Sequence, residues 1–533
     1  MSKSPIVRDL LVLAVVALVL RTLAAALVPW PPYTDPAYYD LVAQQLATGH
    51  GFSAPVIWSF LEVGSRIPAN PVLPVPSNGH WMPLTSIVSA AFMAVLGPGW
   101  RAGQVPMVLL SVALVPFTYL VGWQFWSSRR VALGGAVLAL FCGPLLVMYP
   151  LIDNFAVFGV TGGGAIYLAC RAVSAARPGP WLLAAGAAVG LATLARVDGL
   201  LLSVAPATAW LLTLDRSRPL RALAWGAGSA LAFGLVVAPW MIRNLGIYGS
   251  PLPSAGGHLL WITSYNEQFS IGHQVSLSSY LASGPLAIIG SKLVAWVELI
   301  GRTAVLLGGI FVIFFVAGLW MARGRRELLP FVAYFAAMFV AMGLLFTFHA
   351  PNGAFYHSAP AWLPFALPMA VAAIPASSIA AGRYWRFLRR PATHRFLLVV
   401  GLLGAIALSL VGSAALDAQW TASRRLDEVA GGYFRSHGLT DAVVMSDDPA
   451  ALWQVSHNPG VAFPFDPYPV VERVIRAYDV QWVLVTRRDP GASDPLGLWN
   501  GRAATDAEGN HATFLDARPA FEAPGVRIYG VAR

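Results

Sequence analysis

Apolar stretches long enough to cross a bilayer recur along this chain, and no other feature limits its folding as strongly. A spanning helix needs roughly 20 predominantly apolar residues. The first candidate runs from near Asp9 to Pro29 behind a short flank carrying Lys3 and Arg8. No small-residue cleavage site follows it, so it is expected to remain as a span rather than be removed as a signal. Further runs at 104–126, 131–149, 154–175, 181–195, 199–214, 222–240, 302–321, 328–348, 358–380 and 396–415 bring the expectation to about eleven spans. Composition agrees: 57% of the 533 residues are hydrophobic and 11% charged, against roughly 25% charged in soluble domains.

The net charge of +10 reads differently once it is mapped onto these runs. Arg129-Arg130, Arg171 with Arg177, Arg216/Arg218/Arg221, Arg323/Arg325/Arg326 and the stretch Arg383 to Arg395 fall in alternate loops. This positive-inside pattern marks those loops, and the N-terminus, as cytoplasmic in a multi-pass plasma (inner) membrane protein. An odd number of spans then places the C-terminus outside. No basic stripe with interleaved aromatics accompanies the charge, so a nucleic-acid partner is not expected. Cys142 and Cys170 lie inside apolar runs without metal-ligand spacing and read as free core thiols.

Two units are expected: an all-α membrane part at 1–415 and an extracytoplasmic α/β domain at 416–533. Two outer loops interrupt the membrane part, 30–83 and 241–301. In the first, Asp35 to Thr48 has helical periodicity, stops at Gly49-His50-Gly51 and reads as an amphipathic helix on the membrane surface. Leu84 to Gly97 reads as a second interfacial or re-entrant helix. In the outer domain, helices are expected at 424–437, 449–457 and 470–478, and strands at 442–445 and 480–486.

Acidic groups at the outer membrane edge are costly and so are candidates for chemistry. Asp35 follows the first span, where helix N-capping is the plainer role. Asp153 lies in a tight outer turn, and a turn-forming role is equally open. Asp198 sits beside Arg196, and the two have a simple ion pair as their alternative. His50, His80, His258, His273, His349 and His357 all fall at or near the outer side, where imidazoles bind metals or donate to phosphates but are also ordinary interfacial residues. Tyr38, Tyr39, Trp58 and Trp81 read as an interfacial aromatic belt in preference to a sugar-stacking surface.

The run Tyr33-Thr34-Asp35-Pro36-Ala37-Tyr38-Tyr39, continuing through Leu46-Ala47-Thr48-Gly49-His50-Gly51-Phe52, resembles the first outer-loop motif of GT-C glycosyltransferases. These polytopic enzymes use polyprenyl-phosphate sugars and include protein O-mannosyltransferases and lipid A aminoarabinose transferases. Gly79-His80-Trp81-Met82-Pro83-Leu84, Leu194-Ala195-Arg196-Val197-Asp198-Gly199 and Pro239-Trp240-Met241-Ile242-Arg243-Asn244 match later motifs in order. The resemblance implies that Asp35 is the general base for an inverting transfer to an extracytoplasmic acceptor. It implies Arg243, Arg196 and His357 as ligands of the donor phosphate, and Asp153, His80 and His258 as candidates for substrate or a divalent metal ion. The chain departs from the family in placing Pro36 directly after Asp35 and Trp81-Met82 before Pro83. The rival readings are a transporter or flippase of lipid-linked sugars and a non-catalytic membrane scaffold. The first calls for ionisable residues along a mid-membrane path, where Arg21 is the main occupant, and for repeated halves, which the chain lacks.

Overall fold

The apolar runs fold as helices. The computed structural model describes residues 4–215, 217–252, 258–272, 275–487, 509 and 512–532. From the N-terminus come α1 (Ser4–Leu27), α2 (Thr34–Ala47), α3 (Leu84–Leu96), α4 (Trp100–Trp126), α5 (Arg129–Leu140) and α6 (Leu145–Met148). They are followed by α7 (Asn154–Ser174), α8 (Pro178–Ala195), α9 (Val204–Leu212), α10 (Pro219–Tyr248), α11 (Leu277–Ala282) and α12 (Pro285–Leu306). The remainder are α13 (Phe311–Ala322), α14 (Leu329–Leu344), α15 (Phe355–Ala381), α16 (Pro391–Ser436), α17 (Pro449–Ser456) and α18 (Tyr468–Ala477).

Eight helices among the described residues are long and apolar enough to cross a membrane, with a ninth if α12 and α13 count as one broken span. The expected runs 131–149 and 199–214 appear as shorter apolar pieces, α5 with α6, and Val197–Leu212. The apolar window of α10 is only 17% buried by protein; so long an apolar surface needs lipid to cover it. The chain is a multi-pass membrane protein. The expected span at 302–321 is split: α12 bends by 102° into α13 at Gly308 and Gly309, both at positive φ, where glycine carries no steric penalty. Much of the expected outer loop 241–301 is likewise helical, in the end of α10, α11 and most of α12.

Arg21 explains another break. The carbonyls at the C-terminal end of a helix lack intrahelical partners, and α5 ends inside the protein. Arg21 is 1% exposed and donates to Ala139 O (3.1 Å) and Leu146 O (3.0 Å), one on each side of the break between α5 and α6. Its guanidinium also lies over the Tyr149 ring at 4.7 Å. Replacing Arg21 with Met takes the guanidinium from both carbonyls and leaves Ala139 O only the long contact from the Cys142 thiol (3.6 Å), and we expect a loss of about 2–5 kcal/mol. Thermal unfolding in detergent checks this, with Arg21→Lys intermediate because an ammonium lacks the two-pronged reach.

Helix α16 runs unbroken for 46 residues, so the expected span 396–415 and the expected helix 424–437 are one element that crosses the position expected for the domain boundary. Beyond it lie β1 (Val444–Ser446), β2 (Gly460–Ala462), β3 (Trp482–Thr486), β4 (Phe521–Ala523) and β5 (Val526–Gly530). They form a small sheet in which β1 pairs parallel with β2 and β3, and β5 pairs antiparallel with β3 and β4. Its other edge is supplied by the connection between α1 and α3: Val56–Ile57 pairs parallel with Gly460 and Val461. Asp466 ties down the segment between α10 and α11, accepting from Ile271 N (2.6 Å), Gly272 N (2.9 Å) and the Ser270 hydroxyl (3.1 Å). Helix α2 is therefore not laid on a bare membrane surface as its periodicity implies. Pro36 through Ala43 are all buried, with α3 on one side and α17 on the other.

Candidate active site

The first turn of α2 delivers Asp35, but not as a cap. Tyr33 holds the extended N-cap position without a side-chain cap bond, and Asp35 is the second helical residue. The capping role open to it from sequence is thus not the one it plays. Its carboxylate is 24% exposed and lines a cavity of about 420 Å³ together with Arg196, Asp198, His80, His349 and His357. Met342, Phe346, Leu200 and Leu259 give the cavity an apolar wall.

Beneath Asp35 lies a second carboxyl. Asp153 is fully buried, caps α7 by accepting from Asn154 N (2.6 Å) and accepts the Tyr33 hydroxyl (2.6 Å). His357 spans the two acids, with Nε2 3.7 Å from Asp35 Oδ2 and Nδ1 3.6 Å from Asp153 Oδ1. The Asn154 amide donates to the Tyr39 hydroxyl (3.2 Å), which turns its Oδ1 to His357 Nδ1 at 2.8 Å. That pairing puts the imidazole proton on Nδ1 and leaves the Nε2 lone pair facing Asp35. The ring is further fixed by stacking on Phe155 at 4.2 Å.

Burial raises both carboxyls. Asp35 is pushed up to about 6 by desolvation, opposed by Arg196 and by a hydrogen bond from Trp81. Asp153 is raised as well, by desolvation and then by the neighbouring Asp35. Two acids this close titrate as a pair, and Asp35, 24% exposed beside the fully buried Asp153, is the member that reaches the cavity. His80 and His349 are pushed down to about 3 and about 4, chiefly by burial, so neither supplies positive charge near neutrality. Arg196 is the cation that remains. Its Nε donates to Asp198 Oδ1 at 2.8 Å, and Asp198 also accepts from the Ser358 hydroxyl. The expected Arg196–Asp198 pair exists, and it faces the cavity.

Other expected residues lie elsewhere. Arg243 is outside the cavity: it donates to Ser77 O (2.9 Å) and Asn244 Oδ1 (3.1 Å) and stacks on Trp240 at 4.3 Å, bracing the first outer loop. His258 opens the short turn His258–Leu260, and its side chain falls outside the described residues. His80 lines the cavity without joining the acids. Trp58 and Trp81 are not belt residues; they are buried, 4.4 Å apart, and line the cavity. Beneath them Glu62, a buried acid that the sequence reading passed over, accepts from Trp58 N (3.1 Å) and bonds the Tyr38 hydroxyl. Tyr33 and Asn154 were also passed over, although each adjoins or nearly adjoins a flagged acid.

Asp35, Asp153 and His357 each offer a ligand atom, all within 4.8 Å of one another. Two carboxyl groups and an imidazole are the kinds of donor that hold a divalent cation.

The helical arrangement with its small sheet is shared with a solved membrane-protein structure. Among solved structures the chain superposes on ArnT from Cupriavidus metallidurans bound to undecaprenyl phosphate, with TM-score 0.56 and 13% identity over 98% of this chain and 97% of that one. The apo state of the same ArnT gives TM-score 0.55 with the same identity and coverage. The archaeal oligosaccharyltransferase AglB from Archaeoglobus fulgidus, in complex with an inhibitory peptide and a dolichol-phosphate, gives 0.49 and 13% identity over 90% of this chain and 69% of that one. At such identity the likeness to ArnT concerns the fold. No protein-family model matches the sequence, and no curated protein matches it.

Proposed function

We propose that this protein is a membrane glycosyltransferase that moves a sugar from a polyprenyl-phosphate donor to an acceptor on the extracytoplasmic side. The observation that carries the reading is the meeting of Asp35 and Arg196 in one cavity with an apolar wall, in a fold shared with an ArnT that binds undecaprenyl phosphate. The lipid chain enters from the outer leaflet along the apolar wall, and its phosphate lies against the Arg196 guanidinium, whose planar fork matches phosphate oxygens. Asp35 takes the proton of an acceptor hydroxyl or amine as that atom bonds to the anomeric carbon. The bond from that carbon to the phosphate oxygen breaks, the phosphate leaves with the electron pair, and the anomeric centre inverts. Arg196 stabilises the charge that gathers on the leaving group. A divalent cation, if held by Asp35, Asp153 and His357, would supply Lewis-acid stabilisation of the same charge.

The N-terminus is cytoplasmic in this reading and the C-terminal sheet domain extracytoplasmic. The transporter alternative loses its main support, because Arg21 is committed to two backbone carbonyls.

The test is to incubate the purified protein in lipid nanodiscs with a panel of undecaprenyl-phosphate-linked hexoses and pentoses, with envelope extract as acceptor. Release of undecaprenyl phosphate that depends on the acceptor is expected for at least one donor; its absence across the panel counts against the reading. The pH dependence follows from Asp35. The base must be ionised, so the rate should fall about tenfold per pH unit below about 6 and level off above it. An inflection well below 6 points instead to a cation on the carboxylates, since a bound cation lowers their pKa.

A further inference from the structure

We propose that Asp448, in the C-terminal sheet domain, is a positioning residue for Asp35. The inference rests on the function proposed above. Nothing in the residues just ahead of α2 caps its first turn, since Tyr33 makes no side-chain cap bond. The restraint comes instead from more than 400 residues away. The Thr34 hydroxyl donates to Asp448 Oδ2 at 2.6 Å, a short bond to a carboxylate of the kind that holds geometry firmly. Asp448 is itself 8% exposed, and its Oδ1 accepts from Ala451 N (3.0 Å), capping α17. That helix reaches back, as Gln454 donates to Ala37 O at 3.0 Å. Asp35 thus sits between two residues, Thr34 and Ala37, that are both bound to α17, while Tyr33 is bound to Asp153. The outer domain sets the angle at which the base faces the cavity, and small errors in such an angle are costly in rate.

Thr34→Val removes the hydroxyl at constant shape. Asp448→Ser keeps a cap for α17 but is too short to reach Thr34. Thr34→Ser keeps the hydroxyl. On a donor that the wild type consumes, Thr34→Val and Asp448→Ser should each lower kcat about tenfold or more while KM for the donor changes less than about twofold, and Thr34→Ser should retain the rate. A second arm needs no turnover: hydrogen exchange in the peptide covering 34–47 of the full chain should quicken in Thr34→Val and Asp448→Ser and not in Thr34→Ser. Unchanged kcat or unchanged exchange in Thr34→Val overturns the proposal, as does equal loss in Thr34→Ser. Should no donor be consumed by the wild type, the functional reading fails while the exchange arm still decides the role of Asp448.

Discussion

Asp35→Asn is expected to lower sugar transfer by about 10²–10⁴-fold, the range a general base contributes, with no loss of folded protein. Asn keeps the shape of the side chain and can still accept the hydrogen bond from Trp81, but it cannot take a proton. The stability side has a definite sign. Burial raises the Asp35 carboxyl from its ordinary value near 3.8 to about 6, so the folded state favours its neutral form. Ionisation therefore costs stability as pH rises through that window. A neutral amide escapes that cost, and Asn should match or exceed the wild type in thermal unfolding above pH 6. Activity and stability then move in opposite directions, as at other sites where burial of charge serves chemistry. Transfer assays and melting curves on the same preparation check both halves.

Arg196→Ala should cost about 10²–10³-fold in transfer, the loss seen when a donor to developing negative charge is removed. Among the described residues it is the only Lys or Arg lining the cavity. The substitution also removes the cationic partner of Asp198, which is 12% exposed and keeps the Ser358 hydroxyl, at a cost of about 1–3 kcal/mol to the fold. Two further variants separate these effects. Arg196→Ala with Asp198→Asn should recover stability without recovering transfer. Arg196→Lys should keep the charge but lose the planar fork, giving a smaller defect of about tenfold. Recovery of transfer in the double variant would show that Arg196 acts only by pairing Asp198.

What the sequence made legible was what is local. The periodicity of 35–48 found α2 within a residue at each end, and the spacing of apolar runs found most of the spans. Asp35, Arg196 and His357, singled out through the family resemblance, line one cavity. The misses share a physical cause: each depended on contact between distant segments. Val56–Ile57 is a two-residue strand with no pattern of its own and exists because Gly460 and Val461 offer it an edge. The burial of α2 comes from α3 and α17, so its periodicity could be read but not what packs against it. Arg243 and Arg196 both follow an apolar run and were indistinguishable until the first outer loop folded back onto Arg243 through Ser77. Asn154 escaped notice because an asparagine after an aspartate is common in turns; only its bonds to Tyr39 and His357 mark it.

The most direct test of the central claim is an experimental structure of the protein in nanodiscs with undecaprenyl phosphate. The account expects the phosphate within hydrogen-bond distance of the Arg196 guanidinium, the Asp35 carboxylate turned toward it and the lipid chain along Met342 and Phe346. A phosphate bound away from Arg196, or Asp35 turned to bulk solvent with the cavity closed, would contradict it.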